Sequence, residues 1–94
     1  MIATTNYQYG EEMETELLED KSMFLDFFSL VRRENCIAAG HFTDVVSGIE
    51  QEDNWFLYDY QGFCWSTCDL YHFERYDLKL RDDFKEFVRS KMRI

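Results

Sequence analysis

The sequence contains no proline and only four glycines among 94 residues, so nothing in its composition marks a linker between domains. Its apolar runs are too short for a transmembrane helix, and its first residues lack the basic and apolar segments of a signal peptide. Three cysteines, an odd number, are most simply free thiols in a reducing compartment. We therefore expect one domain over residues 1–94, located in the cytoplasm.

Motifs for catalysis and cofactor binding are also missing, since the chain has neither a phosphate-binding glycine loop nor a dinucleotide fingerprint. Cys36 precedes His41 and Cys64 precedes His72, but no glycine-rich oxyanion loop accompanies either pair. The spacing of Cys64, Cys68 and His72 falls within the range of structural zinc sites. Free cysteines more often behave as small buried apolar groups. We predict that the protein is not an enzyme and binds neither a metal nor a cofactor.

Positive charge is scarce, with ten Lys and Arg against nineteen Asp and Glu and a net charge of −9. Residues 1–62 carry thirteen acids and three bases, a balance of −10, whereas residues 63–94 carry six acids and seven bases, a balance of +1. Nucleic-acid binding is disfavoured, because its affinity comes from Lys and Arg that neutralise phosphates. Because the excess of acids is confined to residues 1–62, it predicts a surface that carries charge of a single, negative sign.

The most aromatic stretch, residues 55–68, predicts a β-hairpin with Gln61-Gly62 as a two-residue loop. This register pairs Tyr60 with Phe63, Tyr58 with Trp65 and Phe56 with Thr67, although Gln-Gly is a poor type I′ turn and a slip by one residue stays open. Alternation along the strands puts Phe56, Tyr58, Tyr60, Phe63 and Trp65 on one face, and Trp55, Leu57, Cys64 and Cys68 on the other. At least one face must be covered.

Apolar residues recur at helical spacing from Met13 to Val31, which predicts a helix over residues 13–34. A break near residues 20–22 is the alternative, with Ser22 as the cap of a second helix.

The rest of the chain predicts short strands and a final helix. We expect a first strand within residues 1–10, a strand at 36–46, an acidic loop at 50–54, a strand near 68–76 and a helix at 81–92. A helix in place of the strand near 68–76 stays open. The fold class is α+β: an antiparallel sheet with an aromatic central hairpin, one long N-terminal helix and a C-terminal helix.

Acidic side chains would share the outer face of the long helix, where residues three or four apart lie about 5–6 Å from each other. That spacing is comparable with successive phosphates of a DNA strand, although a solvated helix face explains the same pattern. A segregated acidic surface on a rigid body predicts a DNA mimic that binds a DNA-binding protein. The predicted phosphate-mimicking acids are Glu11, Glu12, Glu14, Glu16, Glu19, Asp20, Asp26, Asp44, Glu50, Glu52, Asp53 and Asp59.

In length, and in the acid-rich segments 11–20 and 50–53, the sequence resembles the small acidic inhibitors made by phages. The resemblance is greatest to the Arn-type anti-restriction proteins of T-even phages. It implies a homodimeric DNA mimic that blocks a McrBC-type modification-dependent restriction endonuclease in the host cytoplasm. The chain departs from a uniformly acidic mimic in residues 63–94, which we expect to serve dimerisation or structure.

The rival hypothesis is an adaptor or inhibitor that binds by apolar contact, such as an anti-CRISPR protein or one that binds the transcription machinery. It would use Tyr58, Tyr60 and Trp65 as exposed anchors, because aromatic residues are the usual hot spots of interfaces.

Overall fold

The computed structural model describes residues 2–8, 10–31, 34–38, 41–51 and 55–92, and within them the fold is α+β. The strands are β1 (Ile2–Ala3), β2 (Glu34–Ala38), β3 (Phe42–Thr43), β4 (Glu50–Gln51), β5 (Trp55–Tyr60) and β6 (Phe63–Ser66). The helices are α1 (Lys21–Leu30), α2 (Thr67–Tyr76) and α3 (Asp82–Met92). The predicted C-terminal helix is therefore confirmed, and the predicted first strand is reduced to Ile2–Ala3.

The main sheet has the strand order β1-β6-β5-β2, with β1 parallel to β6 and the other pairs antiparallel. The predicted hairpin register is confirmed, because Tyr60 pairs with Phe63 and Tyr58 with Trp65. Gln61 and Gly62 both have positive φ, 47° and 93°, as a type I′ turn requires. The register therefore does not slip.

The predicted strand at 36–46 is divided between two sheets. β2 pairs with β5, whereas β3 pairs with β4 in a separate two-stranded sheet. Part of the predicted acidic loop at 50–54 is the strand β4, and residues 52–54 lie outside the described residues.

The single long helix over 13–34 is wrong, because α1 begins at Lys21 and ends at Leu30. Residues 11–20, called here the acidic segment, are not helical, and Thr15 forms an antiparallel bridge with Leu78. The backbone N–H of Glu16 donates to the carbonyl of Asp77, and that of Lys79 donates to the carbonyl of Glu14, at 3.0 Å each. This bridge gives the segment backbone partners that a helix would otherwise provide, and it avoids like charges at helical spacing.

The predicted strand near 68–76 is also wrong, and α2 takes its place. Ser66 caps this helix: its hydroxyl accepts from the N–H of Asp69 (3.1 Å), and the Asp69 carboxylate accepts from the N–H of Ser66 (3.0 Å). This reciprocal capping box stabilises the start of a helix. Thr67 and Cys68 thus leave the hairpin, although the Phe56 N–H still donates to the Thr67 hydroxyl (2.9 Å).

The helices pack on the aromatic face of the hairpin, so the predicted covering of one face is confirmed. Trp65 is 2% exposed and its ring lies 5.2 Å from that of Phe28, in an edge-to-face arrangement. Tyr58, Tyr60 and Phe63 are half-buried against the same core. The core residues are Phe24, Phe27, Phe28, Trp65, Phe73, Leu78, Leu80, Phe84 and Val88.

Candidate functional site

The acidic segment crosses the surface beside α3 and is attached to that helix by ion pairs. Glu16 Oε1 lies 2.6 Å from Lys85 Nζ, and the carboxylate of Asp20 accepts two hydrogen bonds from Arg89, at 2.9 and 3.1 Å. The hydrogen bond to Glu16 raises the pKa of Lys85 above its usual range, although burial opposes the charged form. Glu16 and Asp20, both predicted phosphate mimics, therefore act as intramolecular partners of α3.

Four other predicted acids, in the acidic segment and on α1, are exposed and, among the described residues, unpaired. Glu11, Glu12 and Glu19 lie in the acidic segment and Asp26 lies on α1. No cation of the described part of the chain comes within 4.0 Å of their carboxylates. These four residues, called here the exposed acids, carry the negative charge that this surface offers to a partner.

Glu11, Glu12 and Glu14 meet at one shallow depression of about 90 Å³. Lys79 lines the same depression, and its ammonium lies 3.7 Å from the Glu14 carboxylate. Both partners of that pair are largely solvent-exposed, so the pair has little energetic weight. Three of the predicted acids are thus brought together, although on an irregular segment and not on a helix.

Asp44 is not a surface charge, contrary to the prediction. It is 2% exposed, and Oδ2 accepts hydrogen bonds from the hydroxyls of Tyr71 (2.6 Å) and Tyr76 (2.5 Å). Oδ1 accepts from the backbone N–H groups of Val46 (2.9 Å) and Ser47 (3.0 Å). The carboxylate joins the β3–β4 turn to α2, and a buried carboxylate so fully bonded is structural.

Burial by itself would raise the pKa of Asp44, but the hydrogen bonds from the tyrosines and the two backbone amides outweigh it and hold this pKa well below its usual range. The same bond to the carboxylate raises the pKa of Tyr76 to about 12. Asp44 therefore stays ionised and both phenols stay protonated at neutral pH.

The remaining predicted acids do not line the depression, and they lie in other parts of the sequence. Glu50 is exposed on β4, and Asp59 is half-buried on β5, opposite Cys64. Glu52 and Asp53 lie outside the described residues.

The cysteine and histidine cluster is also structural. His72 is buried; its Nε2 accepts from the Val45 N–H (3.0 Å) and its Nδ1 donates to the carbonyl of Cys68 (2.8 Å). Burial, and then the charge of Asp69, raise the pKa of the Cys68 thiol to about 11, which disfavours the nucleophilic thiolate. We predicted that Cys64 and Cys68 share one face of a strand, but Cys68 belongs to the helix α2. Among the described residues, no three His, Cys, Asp or Glu side chains are grouped as metal ligands.

The aromatic anchors of the rival hypothesis are not available as proposed, because Trp65 lies in the core. The exposed apolar side chains are others, and we did not predict their exposure. They include Leu17 and Leu30, and also Val46 and Ile49, which flank the Ser47-Gly48 turn. The sequence did contain a signal for the exposure of Val46 and Ile49, because these two β-branched residues flank the turn dipeptide Ser47-Gly48.

The sequence matches no family model, and the comparisons with curated proteins and with solved structures also give no match. Within the residues that the structure describes, no helix is both long and apolar enough to cross a membrane.

Proposed function

We propose that the protein is a DNA-mimic inhibitor whose anionic surface occupies the DNA-binding site of a McrBC-type modification-dependent restriction endonuclease. The observation that carries the proposal is the set of exposed acids Glu11, Glu12, Glu19 and Asp26, which have no cationic partner among the described residues. A basic DNA-binding cleft would supply the missing cations, and its positive field would steer the acidic protein toward it.

The attachment of the acidic segment supports the proposal. Ion pairs from Glu16 and Asp20 to α3, together with the backbone bridge between Thr15 and Leu78, fix the segment before any partner binds. Charges that are already positioned lose little conformational entropy on binding. Solubility requires only that acids be exposed, whereas this segment is also held in place.

The test compares two variants that remove the same charge. Glu11→Gln/Glu12→Gln removes two of the exposed acids, whereas Glu74→Gln/Glu86→Gln removes two exposed acids from α2 and α3. In a DNA-cleavage assay with a McrBC-type endonuclease, we expect the first variant to raise the half-inhibitory concentration about tenfold and the control to leave it within about threefold. Adding Glu19→Gln and Asp26→Asn to the first variant should bring the loss to about a hundredfold.

Both variants should melt at or slightly above the temperature of the parent, because neutralising exposed acids relieves repulsion. Duplex DNA and the parent protein should compete for the same site on the endonuclease. If the fourfold variant inhibits as well as the parent, the exposed acids serve solubility alone and the proposal is wrong. Equal losses in the two double variants would mean that net charge matters and the acidic segment does not.

A further inference from the structure

A wide surface depression, called here the leucine groove, lies at the end of the acidic segment, where the chain turns into α1. Its volume is about 370 Å³. It is lined by Leu17, Leu18, Glu19, Asp20 and Arg89. Leu18 packs partly against the core, whereas Leu17 is 87% exposed. An isolated exposed leucine is ordinary, but Leu17 forms one groove with a second leucine and with charged groups.

The backbone on both sides of Leu17 is held in place. Before it, the N–H of Glu16 donates to the carbonyl of Asp77 (3.0 Å). After it, the carbonyl of Leu18 accepts from the N–H of Lys21 (3.3 Å), which closes the turn into α1. The exposed side chain therefore projects from a fixed backbone, and a partner that covers it orders little more than one side chain.

The charges of the leucine groove leave one carboxylate without a cation. Arg89 donates two hydrogen bonds to Asp20, at 2.9 and 3.1 Å, and its guanidinium lies over the ring of Phe24. The Arg89–Asp20 pair is neutral as a unit. Glu19 is exposed, and no cation of the described residues lies within 4.0 Å of its carboxylate. The groove therefore offers an apolar surface beside one unpaired negative charge.

A side chain that is apolar along its length and cationic at its tip matches this arrangement. Lys and Arg lay their methylene stems on apolar surface while the charged head stays in a polar environment. A purely apolar side chain would cover the leucines but leave Glu19 partly desolvated and unpaired beside it, which is unfavourable. DNA-binding clefts contain Lys and Arg, because these residues neutralise phosphates.

We infer that the leucine groove holds one Lys or Arg side chain from the DNA-binding site of the target: its methylene stem lies on Leu17 and Leu18, and its cation pairs with Glu19. This inference rests on the proposed function and names one contact within it. Carboxylates alone suit any basic DNA-binding cleft, whereas a groove that also contacts the stem selects a cleft by the position of one side chain.

A double-mutant cycle tests whether Leu17 and Glu19 contact the same side chain of the target. The variants are Leu17→Ser, Glu19→Gln and their combination, and the assay is inhibition of DNA cleavage by a McrBC-type endonuclease. We expect each single change to raise the half-inhibitory concentration about fivefold and the combination to raise it about fivefold to tenfold, because the second change removes a contact that the first has already weakened. Independent contacts would multiply to about twenty-fivefold.

Leu30→Ser is the matched control, since Leu30 is an exposed leucine at the far end of α1. It should change the half-inhibitory concentration by about twofold or less, and its effect should multiply with that of Glu19→Gln. All these variants should melt like the parent, because the replaced side chains are exposed.

The outcomes separate this inference from the proposed function. A Leu17→Ser variant that inhibits like the parent, while Glu11→Gln/Glu12→Gln loses inhibition, overturns the inference alone. Losses that multiply for Leu17→Ser and Glu19→Gln also overturn it, since the two residues would then contact different groups. A parent that does not inhibit the endonuclease overturns both. Sedimentation over a range of concentrations is the second measurement: if the parent is a dimer and Leu17→Ser a monomer, a second copy of the chain covers the groove and the inference is wrong.

Discussion

Replacing Asp44 with Asn tests whether the buried carboxylate fixes the connection between β3 and β4, residues 44–49. The amide oxygen of Asn keeps the two backbone hydrogen bonds at Oδ1, but its nitrogen cannot accept from the hydroxyls of Tyr71 and Tyr76. Hydrogen bonds to a charged group contribute about 1.5–3 kcal/mol each. Since water and rotated hydroxyls compensate part of the loss, we expect the free energy of unfolding to fall by about 2–3 kcal/mol at neutral pH. The Tm of a chain of this size should then fall by about 10–20 °C.

The pH dependence of this difference has a defined sign. The pKa of Asp44 is lower in the folded protein than the value of about 3.9 expected in the unfolded chain. Its contribution to stability is therefore complete above the unfolded pKa and is lost as the pH falls toward the folded pKa. The difference between parent and Asp44→Asn should be constant from about pH 5 to pH 8 and should shrink below about pH 4.

Urea unfolding followed by circular dichroism measures the difference, and Asp26→Asn is the matched control. Asp26 is exposed on α1, so its replacement should change the free energy of unfolding by no more than about 0.5 kcal/mol. An Asp44→Asn variant as stable as the parent at neutral pH would refute the structural role of the carboxylate. A comparable loss in both variants would trace the effect to net charge.

Trp65→Ala should lower the free energy of unfolding by about 3–5 kcal/mol, because a ring that is 2% exposed leaves a cavity in the core; thermal melting measures this, and a parent-like Tm would contradict the burial. Lys85→Gln should cost about 1 kcal/mol through the lost pairs with Glu16 and Asp82. Because the pKa of Lys85 is raised on folding, this contribution is complete below the unfolded pKa of about 10.4 and is lost as the pH rises through the folded pKa. Unfolding at pH 8 and at about pH 11 checks the sign, and a difference that grows with pH would be inconsistent with the ion pair.

Features set by neighbouring residues could be read from the sequence. The hairpin register follows from Gln61-Gly62 and the alternation around it, and α3 follows from apolar residues at helical spacing. The start of α2 is equally local, because Ser66 and Asp69, three residues apart in the sequence, form its capping box.

Only the tertiary structure decided the conformation of residues 11–20 and the fate of their charges. The apolar spacing there fits a helix, but the segment instead pairs with Leu78, and Glu16 and Asp20 each find a cation 69 residues along the chain. Asp44 is a similar case. Its carboxylate accepts hydrogen bonds from the hydroxyls of Tyr71 and Tyr76, which lie 27 and 32 positions away in the sequence. Sequence composition counts charges, whereas burial and pairing depend on which distant groups the folded chain brings within hydrogen-bonding distance. For that reason the sequence predicted an acidic surface, and the fold determined which acids remain exposed on it.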